Sequence, residues 1–204
     1  MKTKYILIDI ETTGSNYRKN GEVRENKILQ IAIGVLDDKM RSIHKEYWTV
    51  NHDLGSIVRT MDTTVMKMHL NTGLLQDIEE GKGSYMWQIE REILSILSEY
   101  AEYKLIAVGN NIQFDMTALH RELPKVASLF HYSYLDVSSI RKGLSLVLGD
   151  TFKKAVYSYK ENKFKRHPLT DITECEKELN LYLNLFKNKS LKEDVDKFIS
   201  VFYK

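Results

Sequence analysis

Two carboxylates close the first apolar run of the chain. In Ile6-Leu7-Ile8-Asp9-Ile10-Glu11-Thr12-Thr13-Gly14, strand alternation sets Asp9 and Glu11 on one face and Ile6, Ile8 and Ile10 on the other. Ionised carboxylates so close repel each other, and burying them uncompensated is costly. A divalent cation supplies the missing positive charge; otherwise the pair simply ends a strand at the solvent edge. A third acid, Asp115, closes Gly109-Asn110-Asn111-Ile112-Gln113-Phe114-Asp115, where an apolar strand becomes a helix. Strand ends are where α/β proteins gather ligands, although a lone Asp there also reads as a helix cap. The fourth, Asp171, follows His167 by four residues. That spacing puts imidazole and carboxylate on one helical face, or else marks a dipole-favoured acid beside a chance histidine.

These residues need elements to hold them. Ile28 to Leu36 reads as a second strand, Asp37-Asp38-Lys39 as a turn and Arg41 to Val50 as a third strand, together an antiparallel meander. Polar Ser15 to Lys27, with Asn20-Gly21, reads as a loop beside the carboxylates. Helical spacing begins at Ile57 with Met61, Val65, Met68 and Leu74, broken at Gly73, and is clearer over Trp87 to Tyr100. Leu105 to Gly109 reads as a buried strand, and Phe114 to Leu123 as a helix stopped by Pro124. Ser133 to Val137 reads as the last strand, with Ser138 capping a helix over Ile140 to Leu148. Gly149 to Arg166 interleaves six basic residues with Phe152, Tyr157, Tyr159 and Phe164. As a loop it suits single-stranded nucleic acid or is a solvated stretch with packing aromatics. Pro168 opens a long helix to Phe186, striped by Ile172, Cys175, Leu179, Tyr182, Leu183 and Phe186, and a last helix runs from Leu191 to Tyr203.

At 204 residues the chain suits a single domain spanning 1–204. A net charge of +2 is too small to argue for nucleic acid by itself. One cysteine, Cys175, excludes an internal disulfide and a cysteine-based metal cluster. No apolar run approaches the roughly 20 residues of a membrane span, and the N-terminus lacks a signal-peptide layout. The expectation is a cytoplasmic protein.

Strand Asp-x-Glu, then a loop–helix Asp, then His and Asp on a late helix is similar to the layout of the DEDD exonuclease superfamily, histidine branch. Within it the chain resembles the oligoribonucleases. Met61-Asp62 with His69, Thr72, Gly73 and Leu74 follow that family's second block, and Pro124 through Ser139 follow a family segment almost position by position. Asp171-Ile172-Thr173-Glu174 with Glu178-Leu179 match its final helix. The resemblance implies an α/β, ribonuclease H-like fold: a mixed central sheet, antiparallel meander plus parallel strands, flanked by helices. It implies two Mg²⁺ or Mn²⁺ ions on Asp9, Glu11, Asp115 and Asp171, in keeping with the preference of hard cations for carboxylate oxygen. His167 would be the general base of a 3′→5′ exonuclease releasing 5′-mononucleotides from short or single-stranded RNA or DNA, RNA favoured. Thr12, Gly14, His69, Asn111, Phe114, Tyr132 and Ser138 would contact substrate, and a homodimer would use His131-Tyr132 to complete the partner's pocket.

The chain departs from the family's pattern at defined positions. Three residues, Pro168, Leu169 and Thr170, separate His167 from Asp171 where the family has four, which would align Arg166 with the histidine. Arginine stays protonated and is no base, so His167 keeps the assignment. Ser15 stands where a base-wedging leucine is usual, Thr64-Val65 replaces Trp-Asn, and Asn111 and Ser133 replace a serine and an arginine that grip a 5′ phosphate. Thr12-Thr13-Gly14 and Asn111 to Asp115 look more like proofreading-type exonucleases. The competing reading is a catalytically silent exonuclease fold that binds nucleic acid or protein. An Asp-nucleophile phosphatase would want Asp-x-Asp, which Glu11 does not provide.

Overall fold

The computed structural model describes residues 2–14, 26–161 and 167–187, the last turns before 161 by backbone alone. The core is a five-stranded mixed sheet in the order β3-β2-β1-β4-β5. Its strands are β1 (Thr3–Thr12), β2 (Ile28–Leu36), β3 (Ser42–Thr49), β4 (Lys104–Gly109) and β5 (Leu135–Asp136). β1 pairs antiparallel with β2, and β2 with β3. β4 and β5 run parallel to their neighbours, as a meander followed by crossovers requires.

β1 divides its side chains as its alternation dictates. Ile6, Ile8 and Ile10 enter a core with Ile89, Ile93 and Leu97 of helix α4 (Met86–Ser98) and Met116 and Leu119 of α5 (Ile112–Glu122). Leu7 faces the other way, packing with Ala32, Val108 and the stripe Ile172, Cys175, Leu179 and Tyr182 of α8 (Pro168–Phe186). Asp9 and Glu11 share that second face, so the register carries them under α8. Asp9 pairs with Ala32, which pairs with Tyr47, and Glu11 pairs with Gln30. A third cluster forms beneath α1 (Leu54–Thr60), α2 (Thr63–Thr72) and α3 (Leu74–Glu79). The helical spacing read from Ile57 onward is thus split, with Gly73 (φ 82°) closing α2 in the left-handed conformation that glycine supplies.

Several sequence expectations change. The last strand shrinks from Ser133–Val137 to two residues. Pro124 does stop α5, and it also opens a short helix, α6 (Pro124–Ala127). α7 (Val137–Glu161) begins a residue before Ser138, and its first turn is capped by Asp136, whose Oδ1 accepts from Ser138 N–H at 2.9 Å. The basic–aromatic stretch is no loop as far as Glu161: α7 runs through it after a break at Gly149 (φ 74°, ψ −165°). Residues 162–166 and the expected last helix, Leu191 to Tyr203, lie outside the described residues. Of the α8 stripe, Phe186 is 42% exposed rather than buried. Among the described residues no helix is long and apolar enough to cross a membrane.

Candidate metal and nucleic-acid site

Above the carboxyl ends of β1 and β4 lies a cleft of about 410 Å³. Asp9, Glu11, Thr12 and Gly14 line it from β1 and the turn after it; Asn111, Phe114 and Asp115 from α5; and Thr170, Asp171 and Glu174 from α8. Asp9, Glu11 and Asp171 are half-buried, and each offers a carboxylate oxygen within 4.8 Å of the other two. Two forces set this convergence. The apolar stripe of α8 seats the helix over β1 and β2, and a polar clasp fixes it against the edge strand. In the clasp Glu176 accepts from Ser42 N–H at 2.9 Å and from Lys45 Nζ at 2.7 Å, while Lys45 also donates to Thr173. The clasp leaves Asp171, in the first turn of α8, facing β1 across the cleft.

The fourth acid behaves differently. Asp115 is 5% exposed, and its Oδ1 accepts from the Ile10 N–H at 2.9 Å. Burial pushes its carboxyl well above the usual carboxylate range, the hydrogen bond from Ile10 opposes this, and the nearby Glu11 and Asp136 charges add to the rise. A group so placed needs a cation to hold its charge. An all-oxygen donor set of this kind suits a hard divalent ion, so the residues present fit the metal that the resemblance implies.

Asp115 owes its place to Asp136, which sequence reasoning passed over. Asp136 Oδ1 accepts from Asn111 N–H at 3.1 Å and from Ser138 Oγ at 2.7 Å, and Oδ2 accepts from Ser139 Oγ at 3.0 Å. These bonds hold its carboxyl below the usual range against the cost of burial. They tie the heads of α5 and α7 together, with Asn111 in the left-handed region (φ 58°). The signal was present as Asp-x-Ser-Ser, a capping pattern at the head of α7. Val65, Met68, Asn110, Glu174 and Cys175 also line the cleft without having been singled out for it. Glu174 stood one helical turn from Asp171.

The remaining expected residues divide. Thr12, Gly14, Asn111 and Phe114 line the cleft. Ser138 does not; its hydroxyl is buried and committed to Asp136 and to Asn111 N–H. His69 is 1% exposed, and its Nε2 donates to the Thr12 carbonyl at 2.9 Å. Burial lowers its basicity, so the ring is a neutral brace for the strand end that carries Glu11. Tyr132 lies outside the cleft, 84% exposed beside the His131 ring. His167 is the N-cap of α8: its Nδ1 accepts from Leu169 N–H at 3.3 Å, and its ring meets the Tyr47 ring edge-on at 4.5 Å. It shares a helix with Asp171 but does not line the cleft, and Tyr47 sits two strands from Asp9 in the sheet register.

Solved structures define the class of fold. Over 95% of its length the chain resembles Escherichia coli exonuclease I in complex with a dT13 oligonucleotide (TM-score 0.58, 15% identity), spanning 43% of that chain. It also resembles the nuclease domain of 3′hExo, a DEDDh family member, bound to rAMP (TM-score 0.52, 10% identity, 91% of this chain and 92% of that one). The fold is that of a DEDDh exonuclease domain, ribonuclease H-like as expected. Sequence relatives go further, although no family model matches. The chain is 30% identical over 178 residues to an oligoribonuclease of Francisella tularensis subsp. novicida, covering 87% of this chain and 92% of the relative. It is 26% identical over 182 residues to one from Corynebacterium diphtheriae, covering 88% and 81%. The chain belongs to the oligoribonuclease family.

Proposed function

We propose that the protein is a 3′→5′ exonuclease that removes 5′-mononucleotides from short or single-stranded oligonucleotides, RNA foremost, with two Mg²⁺ or Mn²⁺ ions held by Asp9, Glu11, Asp115 and Asp171. The observation that carries this reading is the set of three carboxylates within 4.8 Å, with a fourth buried acid, in one cleft. Divalent ions bound there supply electrostatic stabilisation of the attacking and leaving oxygens. Water attacks the terminal phosphodiester phosphorus, the bond to the 3′ oxygen of the preceding nucleotide breaks, and that oxygen takes up a proton. His167 accepts the proton lost by the water. To do so its ring turns from Tyr47 toward Asp171 and releases the Leu169 N–H, which frees the nitrogen lone pair. Thr12 and Gly14 receive the 3′ nucleotide, Phe114 and the apolar rim of Val65 and Met68 contact its base, and Asn111 meets the backbone. The exposed Tyr132 ring, set beside the half-buried His131, supports a homodimer in which these rings complete the partner's pocket. A cytoplasmic enzyme built from residues 1–204 as one domain fits this reading.

The test is hydrolysis of 5′-labelled RNA and DNA, from dinucleotides upward, in Mn²⁺ and in EDTA, with His167→Ala alongside. Metal-dependent shortening from the 3′ end is expected, and His167→Ala lowers kcat by about 10²–10⁴-fold. No hydrolysis of any substrate, with no Mn²⁺ binding, refutes the enzyme; full activity of His167→Ala refutes its role.

A further inference from the structure

A second cavity, of about 760 Å³, opens between the start of β2, α1 and the head of α4. Lys27, His52, Tyr85, Met86, Trp87 and Glu122 are among the residues that line it. Its rings are held out to solvent. α4 buries Ile89, Ile93 and Leu97, yet Trp87 in its first turn is 60% exposed and Tyr85, its N-cap, 58%. Large aromatic side chains clustered at a cavity mouth expose an apolar surface that a partner would cover. The charge around them has one sign to spare. The Arg91 guanidinium lies 5.6 Å from the centre of the Trp87 ring, and Lys27 is exposed at the rim. The acid in the wall, Glu122, accepts from Ile28 N–H at 3.0 Å and from Arg121 at 2.9 Å. His52 is used internally, its Nε2 donating to the Ile28 carbonyl at 2.7 Å.

This cavity shares a wall with the carboxylate cleft. Gly14 lines the cleft and Lys27 the second cavity, and the residue beside Gly14 binds Lys27 twice. Thr13 N–H donates to the Lys27 carbonyl at 3.0 Å, and Lys27 N–H donates to Thr13 Oγ1 at 3.0 Å. Both openings therefore stand at the same end of the sheet. Rings that stack bases, with cations that meet phosphates, are how proteins hold single strands without reading their sequence.

We infer that the Trp87–Tyr85 cavity binds the part of a single-stranded oligonucleotide that lies 5′ of the nucleotide held at the carboxylates. The inference rests on the exonuclease reading and deepens it: the protein then grips substrates longer than a dinucleotide through a surface away from the reacting atoms. Trp87 is exposed, so its replacement leaves the core intact.

The test compares a dinucleotide with a decamer ending in the same two nucleotides, for wild type, Trp87→Ala and Trp87→Phe. Loss of one stacked base raises KM for the decamer about tenfold in Trp87→Ala, and Trp87→Phe restores most of it. The dinucleotide, which this proposal seats at the carboxylates alone, is cut by all three at closely similar rates. In EDTA, the decamer quenches the tryptophan fluorescence of wild type but not of Trp87→Ala, whose remaining tryptophan, Trp48, is buried. An unchanged decamer KM in Trp87→Ala, or equal quenching in both proteins, overturns the inference while leaving the exonuclease intact. If wild type cuts neither substrate the exonuclease reading falls, and the quenching alone decides whether the cavity binds a single strand.

Discussion

Replacing Asp9 by asparagine should stabilise the metal-free protein and destabilise the metal-loaded one. Asn keeps the size of the side chain and one acceptor oxygen while removing its charge. In the structure Asp9 has two acidic neighbours, Glu11 and Asp171, with oxygens within 4.8 Å. Coulomb's law gives about 0.9 kcal/mol of repulsion per pair in bulk water and about 3.5 kcal/mol at an effective dielectric of about 20. These side chains are half-buried, so the water value is the floor. Two pairs then amount to about 2 kcal/mol relieved in EDTA at low salt. For a chain of this length that raises Tm by about 4–7 °C. In Mn²⁺ the order reverses, because a cation at 100 times its Kd adds about 2.7 kcal/mol to wild type and little to a variant that has lost a ligand. The assay is thermal unfolding of both proteins in EDTA and across an Mn²⁺ titration. An Asp9→Asn protein that melts below wild type in EDTA, or a wild type whose Tm ignores Mn²⁺, would refute the picture of three mutually repelling ligands.

Two other substitutions separate charge from packing. Asp115→Asn and Asp115→Ala should both lower hydrolysis by about 100-fold or more, but only Ala orphans the buried Ile10 N–H, at about 1–3 kcal/mol in a urea titration. Because burial raises the Asp115 pKa in the folded state, its contribution to metal-free stability is fully present below the ordinary Asp value of about 3.9 and is lost as pH rises through the raised folded value. The stability advantage of Asp115→Asn over wild type in EDTA should therefore grow with pH; a constant difference would contradict the assigned burial. Gly109→Ala places a Cβ 2.9 Å from the Ile8 carbonyl oxygen and 2.9 Å from Ile112 Cδ1. It should cost about 1–3 kcal/mol by urea titration, and displacing β1 beside Asp9 should reduce activity as well; an unperturbed midpoint would mean that β1 and β4 separate freely there.

Strong periodicity made most of the fold legible. Ile28–Leu36 and Pro168–Phe186 are the segments read from sequence, because a strand buried on both faces and a helix with a proline start and a continuous stripe leave little choice. β5 was overread because only Leu135 and Asp136 find partners on β4, and pairing length is a property of the neighbour. The stretch after Gly149 reads as a loop from its lysines and aromatics, residues that helices tolerate well; the glycine does end the helix expected over Ile140 to Leu148, and a second helical segment follows it within α7. In the site, Asp9 and Glu11 were legible because period two fixes their common face, and Asp171 because helix period and a proline start fix its turn. His167 had no such constraint: an N-cap side chain points where local hydrogen bonds take it, here to Leu169 N–H, and Tyr47, its ring partner, is separated from it by more than half of the chain.

The four acids do not form one equivalent set, and the difference bears on how a cation would be held. Asp9, Glu11 and Asp171 come from two elements, β1 and α8, joined across an apolar seam and the Glu176 clasp, and they remain half-exposed to water. Water softens their repulsion, bringing it down toward the floor of about 0.9 kcal/mol per pair. Asp115 has no such relief. It is bonded to the strand that carries Asp9 and Glu11 through Ile10 N–H, and it is pinned from behind by Asp136 through Asn111. Its charge becomes affordable when a cation arrives, so binding at this end of the cleft should release a proton wherever the working pH lies below its raised pKa. Asp136, which never reaches the cleft, thereby sets how firmly the buried ligand is presented. A strand, two helix heads and one capping carboxylate do this positioning without any residue that reacts.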